Sequence, residues 1–191
     1  GLDIGTTSTI GILIDTDGGS LGVESRPVTL HSDHANWSEE DPGQWWSNVG
    51  TITQALLKKT RIAAKDIAAI GVTGMLPTVI LLDAKGQPLR RSIQQNDARA
   101  TKQLDVFRQG MEETRFLKLS GTGYSQQLVG PKLMWLKENE PQNFAAAKHV
   151  VGASDYITSR LTGTIQVEHN WALESGFVGL ASGNYDSELV A

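Results

Sequence analysis

The opening residues constrain this chain most: Gly1-Leu2-Asp3-Ile4-Gly5-Thr6-Thr7-Ser8-Thr9, followed by the apolar run Ile10 to Ile14. An apolar start runs into an acid, a glycine and four hydroxyl residues, which reads as a strand, a tight turn and a second strand. The turn carries one carboxylate, a glycine that lets backbone approach a ligand, and several N–H and O–H donors. Consecutive backbone N–H groups in a turn form a concavity that suits phosphate, and a nearby carboxylate can hold Mg²⁺, often through water. The same residue types dominate ordinary hairpin turns, so these residues alone support both readings.

Downstream, residues 2–30 are β-branched and apolar, broken at Asp15-Thr16-Asp17-Gly18-Gly19, a hairpin signal. Three antiparallel strands are predicted, at Leu2–Ile4, Thr9–Ile14 and Leu21–Leu30. Asp41 can cap a helix with Pro42 first and Gln44 completing a capping box. Trp45, Val49, Ile52 and Leu56 then recur at helical spacing to about residue 59. Ile67–Val72 reads as a buried strand and Thr78–Leu82 as another, closed by the turn Asp83-Ala84-Lys85-Gly86. Helices are predicted over 97–109, 111–119, 130–139 and 143–147, then from Ser154 to a C-cap at Gly163. Val150-Val151, Thr164–Val167 and Gly176–Leu180 are short strand candidates. The last residues, 184–191, read as the start of an amphipathic helix. This order gives an α/β fold, a mixed central sheet with helices on both faces.

Several segments carry a resemblance. Asp3-Ile4-Gly5-Thr6-Thr7-Ser8 is similar to the first phosphate-binding hairpin of the FGGY carbohydrate kinases, in the actin/hexokinase/Hsp70 superfamily. Trp37-Ser38-Glu39-Glu40-Asp41-Pro42-Gly43-Gln44-Trp45-Trp46 resembles the W-x-E-x-D-P-x-x-W-W segment of xylulokinase-like members. Ile70 to Met75, Asn96-Asp97-Ala98-Arg99, Gly130 to Leu136 and Asp155 to Gly163 continue the series in the family's order. The resemblance implies a ribonuclease-H-like (actin-like ATPase) fold, the cofactors ATP and Mg²⁺, and a sugar or polyol substrate, with a pentulose favoured. Residues 1–191 would be the N-terminal sugar-binding domain, cut before the catalytic Asp and the nucleotide-binding domain, and inactive alone. A kinase for another substrate (ribulose, erythritol, an autoinducer-type compound) and a non-catalytic actin-like sugar- or nucleotide-binding module remain alternatives.

By that resemblance Asp3 sits near Mg²⁺, and Gly5, Thr6, Thr7 and Ser8 form the phosphate cradle. Met75 and Leu76 fall in the sugar pocket, with Leu76 where xylulokinases carry a substrate-contacting His; both also read as core residues at a strand end. Asn96 and Asp97 face the pocket or fix its wall, while Asp97 also reads as a helix N-cap. Gln95 stands where the family usually has Trp, and Gln127 occupies a substrate-contacting position. Glu168 stands where an Asp is usual and reads as a strand edge or, alternatively, a pocket wall. Asp155 reads as structural. The family's base lies in a Gly-rich G-x-D motif not met again after Gly1-Leu2-Asp3, so no catalytic residue is assigned here.

Composition narrows the partners. Net charge is −4 with mixed signs, against the basic face of nucleic-acid binders. No apolar run approaches the roughly 20 residues that span a bilayer, so no membrane partner is expected. There are no cysteines, which is compatible with a cytoplasmic setting. A homodimer is left open.

Overall fold

The computed structural model describes residues 1–190. The opening hairpin forms as its alternation requires: β1 (Leu2–Ile4) pairs antiparallel with β2 (Ser8–Ile14), which pairs with β3 (Ser20–Pro27). β5 (Val72–Gly74) adds parallel to β1, giving the sheet order β3-β2-β1-β5. Because side chains alternate along a strand, Leu2, Ile4 and Thr9 are buried on one face. Helix α1 (Pro42–Thr60) packs there with its buried stripe Trp45, Val49, Ile52 and Leu56. Each such side chain is worth about 1.5–3 kcal/mol of burial. A Cβ at Gly11 would lie 2.3 Å from Ile52 Cγ2, so glycine in β2 lets the helix approach this closely.

Helix α6 (Ala153–Thr162) joins α1 on that face, and Tyr156 and Ile157 share a core with Leu2, Ile4, Trp45 and Val49. The opposite face of the sheet is uncovered among the described residues. Ile10, Ile12, Ile14, Leu21 and Val23 lie exposed there, and the register puts Asp3 and Thr73 on the same side as Ile10.

Two small antiparallel pairs carry the rest: β4 (Glu39–Glu40) with β7 (Ser92–Ile93), and the wholly buried β6 (Ile80–Leu82) with β8 (His149–Val151). Helices α4 (Val129–Asn139) and α5 (Pro141–Ala146) pack against them, while α2 (Thr101–Gly110) and α3 (Glu113–Ser120) build a further core with Tyr124, Leu128 and Leu189. A short α7 (His169–Glu174) follows α6. Asp41 caps α1 through Gly43 N–H (2.8 Å), and Gly163 ends α6 in the left-handed region (φ 76°).

Several local expectations fail. Residues 67–71 are not a strand; β5 begins at Val72, opposite Leu2, where β1 begins. Gln44 does not complete a capping box, because its side-chain oxygen accepts from the Thr29 N–H instead (2.9 Å). The second long helix starts at Thr101 rather than Asp97, with Ala100 at its N-cap. Residues 164–167 pair with no strand, and 176–180 offer only an isolated bridge between Val178 and Tyr185. Residues 186–190 form a hydrogen-bonded turn, Leu189 and Val190 N–H both donating to the Asp186 carbonyl, rather than a helix start; Ala191 lies outside the described residues.

Candidate functional site

The β1–β2 turn is built tightly. The Gly5 N–H donates to the Ser8 carbonyl (3.1 Å), and the Thr7 carbonyl accepts from Val28 N–H (3.0 Å), tying the turn to the end of β3. A Cβ at Gly5 would stand 3.1 Å from the Ser8 carbonyl oxygen and 3.7 Å from Asp3 Oδ2. That space suits glycine and leaves the carboxylate close to the turn's backbone. Asp3, Thr6 and Ser8 are half-buried and Thr7 is exposed. Their backbone is fixed, while no hydrogen bond or ion pair within the described residues engages their side-chain oxygens; Asn48 Nδ2, nearby, donates to Thr9 Oγ1 and to the Pro27 carbonyl instead. An uncommitted carboxylate beside three hydroxyls, on a turn too tight for a side chain at Gly5, fits a metal-bound phosphate group.

Met75 sits beside this turn. The parallel register pairs Ile4 with Gly74, and the Met75 N–H donates to the Ile4 carbonyl (3.1 Å), so the two loops leave the same end of the sheet together. Met75 packs against the Leu2–Ile4–Tyr156 core, and Leu76 packs against a second core of Val79, Leu81, Ile93 and Trp171. Thr78 Oγ1 donates to the Met75 carbonyl (3.1 Å) and Trp171 Nε1 to the Thr78 carbonyl (2.8 Å), so the loop is braced from behind. Both side chains are half-buried, which supports the core reading without closing off their outer surface.

Asp97 is not an N-cap. It is fully buried; one oxygen accepts from the Ser38 N–H (2.6 Å) and Arg99 Nη2 (2.8 Å), the other from Arg99 N–H and Nε. Arg99 also pairs with Glu39 (2.7 Å), and its guanidinium stands 3.8 Å over the Trp37 ring. Arg90 bridges Glu39 and Glu140. With both oxygens occupied, Asp97 fixes the wall rather than offering itself to a ligand. Asn96 is exposed, one residue away. Gln127 is exposed two residues ahead of α4, and none of the contacts above reaches it.

Two further buried groups stand in this wall, at positions to which the sequence alone assigns no role. Lys132 of α4 is fully buried, and its Nζ donates to the Gln94 carbonyl (2.8 Å). Burial pushes its ammonium down to about 8; Asp97 opposes the shift and Arg99 adds to it. Glu40 is fully buried and accepts from Trp45 Nε1 (2.9 Å), yet burial pushes its carboxyl up to about 7. A lysine and a glutamate at positions where helix and strand face inward were the available signal.

Glu168 is not a strand edge: it caps α7 through the Asn170 and Trp171 N–H groups (2.8 and 3.1 Å), and it also lines a small cavity of about 150 Å³ with Val72, Asp155 and Thr158. Asp155 accepts from Gly152 N–H (2.8 Å) and Glu168 N–H (2.9 Å), a structural role, and burial raises its carboxyl against those two hydrogen bonds. A cavity of about 460 Å³ lies elsewhere, between α2, α3, α4 and residues 188–190, and none of the sequence-predicted site residues lines it.

No helix among the described residues is long and apolar enough to cross a membrane. The sequence matches the profile of the FGGY family of carbohydrate kinases, N-terminal domain, over residues 1–191. A crystal structure of xylulose kinase from Rhodospirillum rubrum is similar at 46% identity and a TM-score of 0.94, covering 100% of this chain and 39% of that one. Xylulose kinase of Escherichia coli (strain K12) is 29% identical over 163 residues, 85% of this chain and 33% of its own length. L-xylulose/3-keto-L-gulonate kinase of the same organism is 30% identical over 193 residues, 97% of this chain and 37% of its own length. The chain thus spans about a third to two-fifths of the relatives it matches. A mixed sheet carrying a glycine-tight hydroxyl turn, matched over its whole length by that profile, leads to one assignment: the chain belongs to the FGGY family of carbohydrate kinases, as its N-terminal domain.

Proposed function

We propose that this domain is the sugar-binding part of an ATP-dependent kinase that phosphorylates a hydroxyl of a sugar or polyol, with a pentulose the favoured class. The observation that carries the reading is the shared sheet end: the Asp3–Ser8 turn and the Met75 loop emerge side by side, linked by the Met75–Ile4 hydrogen bond (3.1 Å). A phosphate donor and a hydroxyl acceptor must meet in line, and phosphoryl transfer depends on such positioning and on charge stabilisation more than on covalent chemistry.

In this reading the Gly5–Ser8 backbone and hydroxyls donate to phosphate oxygens, and Asp3 holds Mg²⁺, which supplies neutralisation of the charge on the transferring group. Met75 and Leu76 form the apolar floor under the sugar and Asn96 offers a side-chain amide to its hydroxyls; Gln127 is a further contact. Asp97 keeps that wall in place from behind. The base that takes the hydroxyl proton is assigned outside residues 1–191, and these residues alone are proposed to be inactive. The two Escherichia coli relatives are kinases of xylulose and of L-xylulose or 3-keto-L-gulonate, which supports a ketose substrate. A site built to hydrogen-bond a hydroxyl discriminates strongly, whereas an apolar side chain cannot, so Leu76 argues against D-xylulose as the preferred sugar. A reducing, cytoplasmic setting suits a chain without cysteine.

A coupled ADP-release assay of the full-length protein against a panel of ketoses, aldoses and polyols tests the proposal. Sugar-dependent ADP release with a ketopentose among the best substrates is expected. No release with any member would overturn the kinase reading, and D-xylulose as the best substrate would overturn the pocket assigned to Leu76.

A further inference from the structure

A fully buried lysine is rare, because an ammonium loses its hydration and must recover it from partners. Lys132 recovers it from backbone: the Gln94 carbonyl at 2.8 Å and the Gln95 carbonyl at 3.5 Å. These two peptide groups belong to the segment that precedes Asn96. The same segment is held from its other side, where Gln94 N–H donates to the Ser38 carbonyl (2.9 Å) and Asp97 N–H to the Gln94 carbonyl (3.2 Å). Gln94 Nε2 is spent on Ser92 Oγ (2.7 Å), and Asp97 and Arg99 are spent on each other. Clamped this way, the turn keeps two amide side chains out of the network: half-buried Gln95 and exposed Asn96.

We propose that Lys132 is a positioning residue for substrate recognition, which fixes the Gln94 and Gln95 carbonyls and so aims the Gln95 and Asn96 side chains at the acceptor sugar. The inference rests on the kinase reading above. Packing alone does not explain the lysine, since an apolar side chain of similar length would fill the same space without the desolvation cost. The charges facing Lys132 are Asp97 and Arg99 on the clamped turn, with Glu39 beyond them on β4. Removing the ammonium leaves the Gln94 carbonyl with the Asp97 N–H alone and takes the lysine donor from the Gln95 carbonyl, and the turn must then rearrange to satisfy them.

The test compares Lys132→Met with the wild-type full-length enzyme, measuring KM for the best sugar and for ATP, kcat, and Tm. The expected result is a sugar KM raised at least about tenfold, with the ATP KM within twofold of wild type. A purely structural lysine would lower the folded fraction, hence the apparent kcat, and leave both KM values unchanged; that outcome, or equal shifts in both, overturns the inference. Should Lys132→Met fail to fold, Lys132→Gln keeps an N–H donor on a stem one bond shorter, and the same split is expected in smaller measure; its absence overturns the proposal equally. An inactive wild-type enzyme would overturn the kinase reading itself and this inference with it, whereas an active wild type with an unmoved variant overturns the inference alone.

Discussion

The Asp3–Ser8 turn and the wall around Asp97 are both polar and behave in opposite ways. In the turn a carboxylate and three hydroxyls sit on fixed backbone with their side-chain oxygens uncommitted. In the wall, Asp97, Arg99, Glu39, Arg90 and Lys132 are buried and paired, down to both oxygens of Asp97. The difference lies in who pairs with them. Groups left free on a rigid backbone can meet a ligand at little ordering cost, whereas groups already paired in a low-dielectric interior can only hold a shape. Polar residues in the turn should therefore matter to turnover and little to stability, whereas those in the wall should matter to stability and reach function only through the shape they hold.

The strongest attempt to break this contrast is Asp3→Ala in the full-length protein. Turnover should fall by about 10²–10³-fold, the scale of losing a preorganised charge-stabilising group, while Tm stays within a degree or two. Near-normal kcat in steady-state assays would remove Asp3 from the metal site.

Arg99→Ala should show the converse. It strips buried Asp97 of its guanidinium partner and leaves Glu39 to Arg90 alone, which costs about 3–5 kcal/mol, and urea unfolding should register this before any kinetic effect is considered. A loss under 1 kcal/mol would mean that water reaches the wall and that it is not the rigid element described.

Glu40 sharpens the contrast through pH. Its carboxyl is raised from 4.5 to about 7 in the fold, so the folded state binds more protons than the unfolded chain between those values. Stability from this group is full below pH 4.5 and declines as pH climbs through 7, by up to about 3 kcal/mol. Denaturant midpoints measured across pH 5–8 should fall, and Glu40→Gln should flatten that slope. An unchanged slope in the variant would assign the effect to another group.

The smallest effect is expected from Thr7→Ala. Its side chain is exposed, so stability should change by less than about 0.5 kcal/mol, with a modest rise in the KM for ATP. A stability loss beyond 1 kcal/mol would show that the turn hydroxyls serve the fold after all.

Much of what is written within a few residues was legible in the sequence. The hairpin with its glycine turn, the Asp41-capped helix with its Trp45–Val49–Ile52–Leu56 stripe, and the Gly163 terminus all depend on neighbours at short range, where alternation, helical spacing and cap chemistry act. The order of motifs then identified the family and, through it, the fold. Tertiary structure decided what depended on distant partners. Where the parallel strand begins was set by its pairing with Leu2. Asp97 reads locally as a helix start, and only its bonds to Ser38, 59 positions away, and to Arg99 turn it into a buried brace. Lys132 looked like one more residue of a helix until the fold brought it to a carbonyl 38 positions earlier. A buried charge is defined by who surrounds it, and that set of neighbours exists only once the chain has closed on itself.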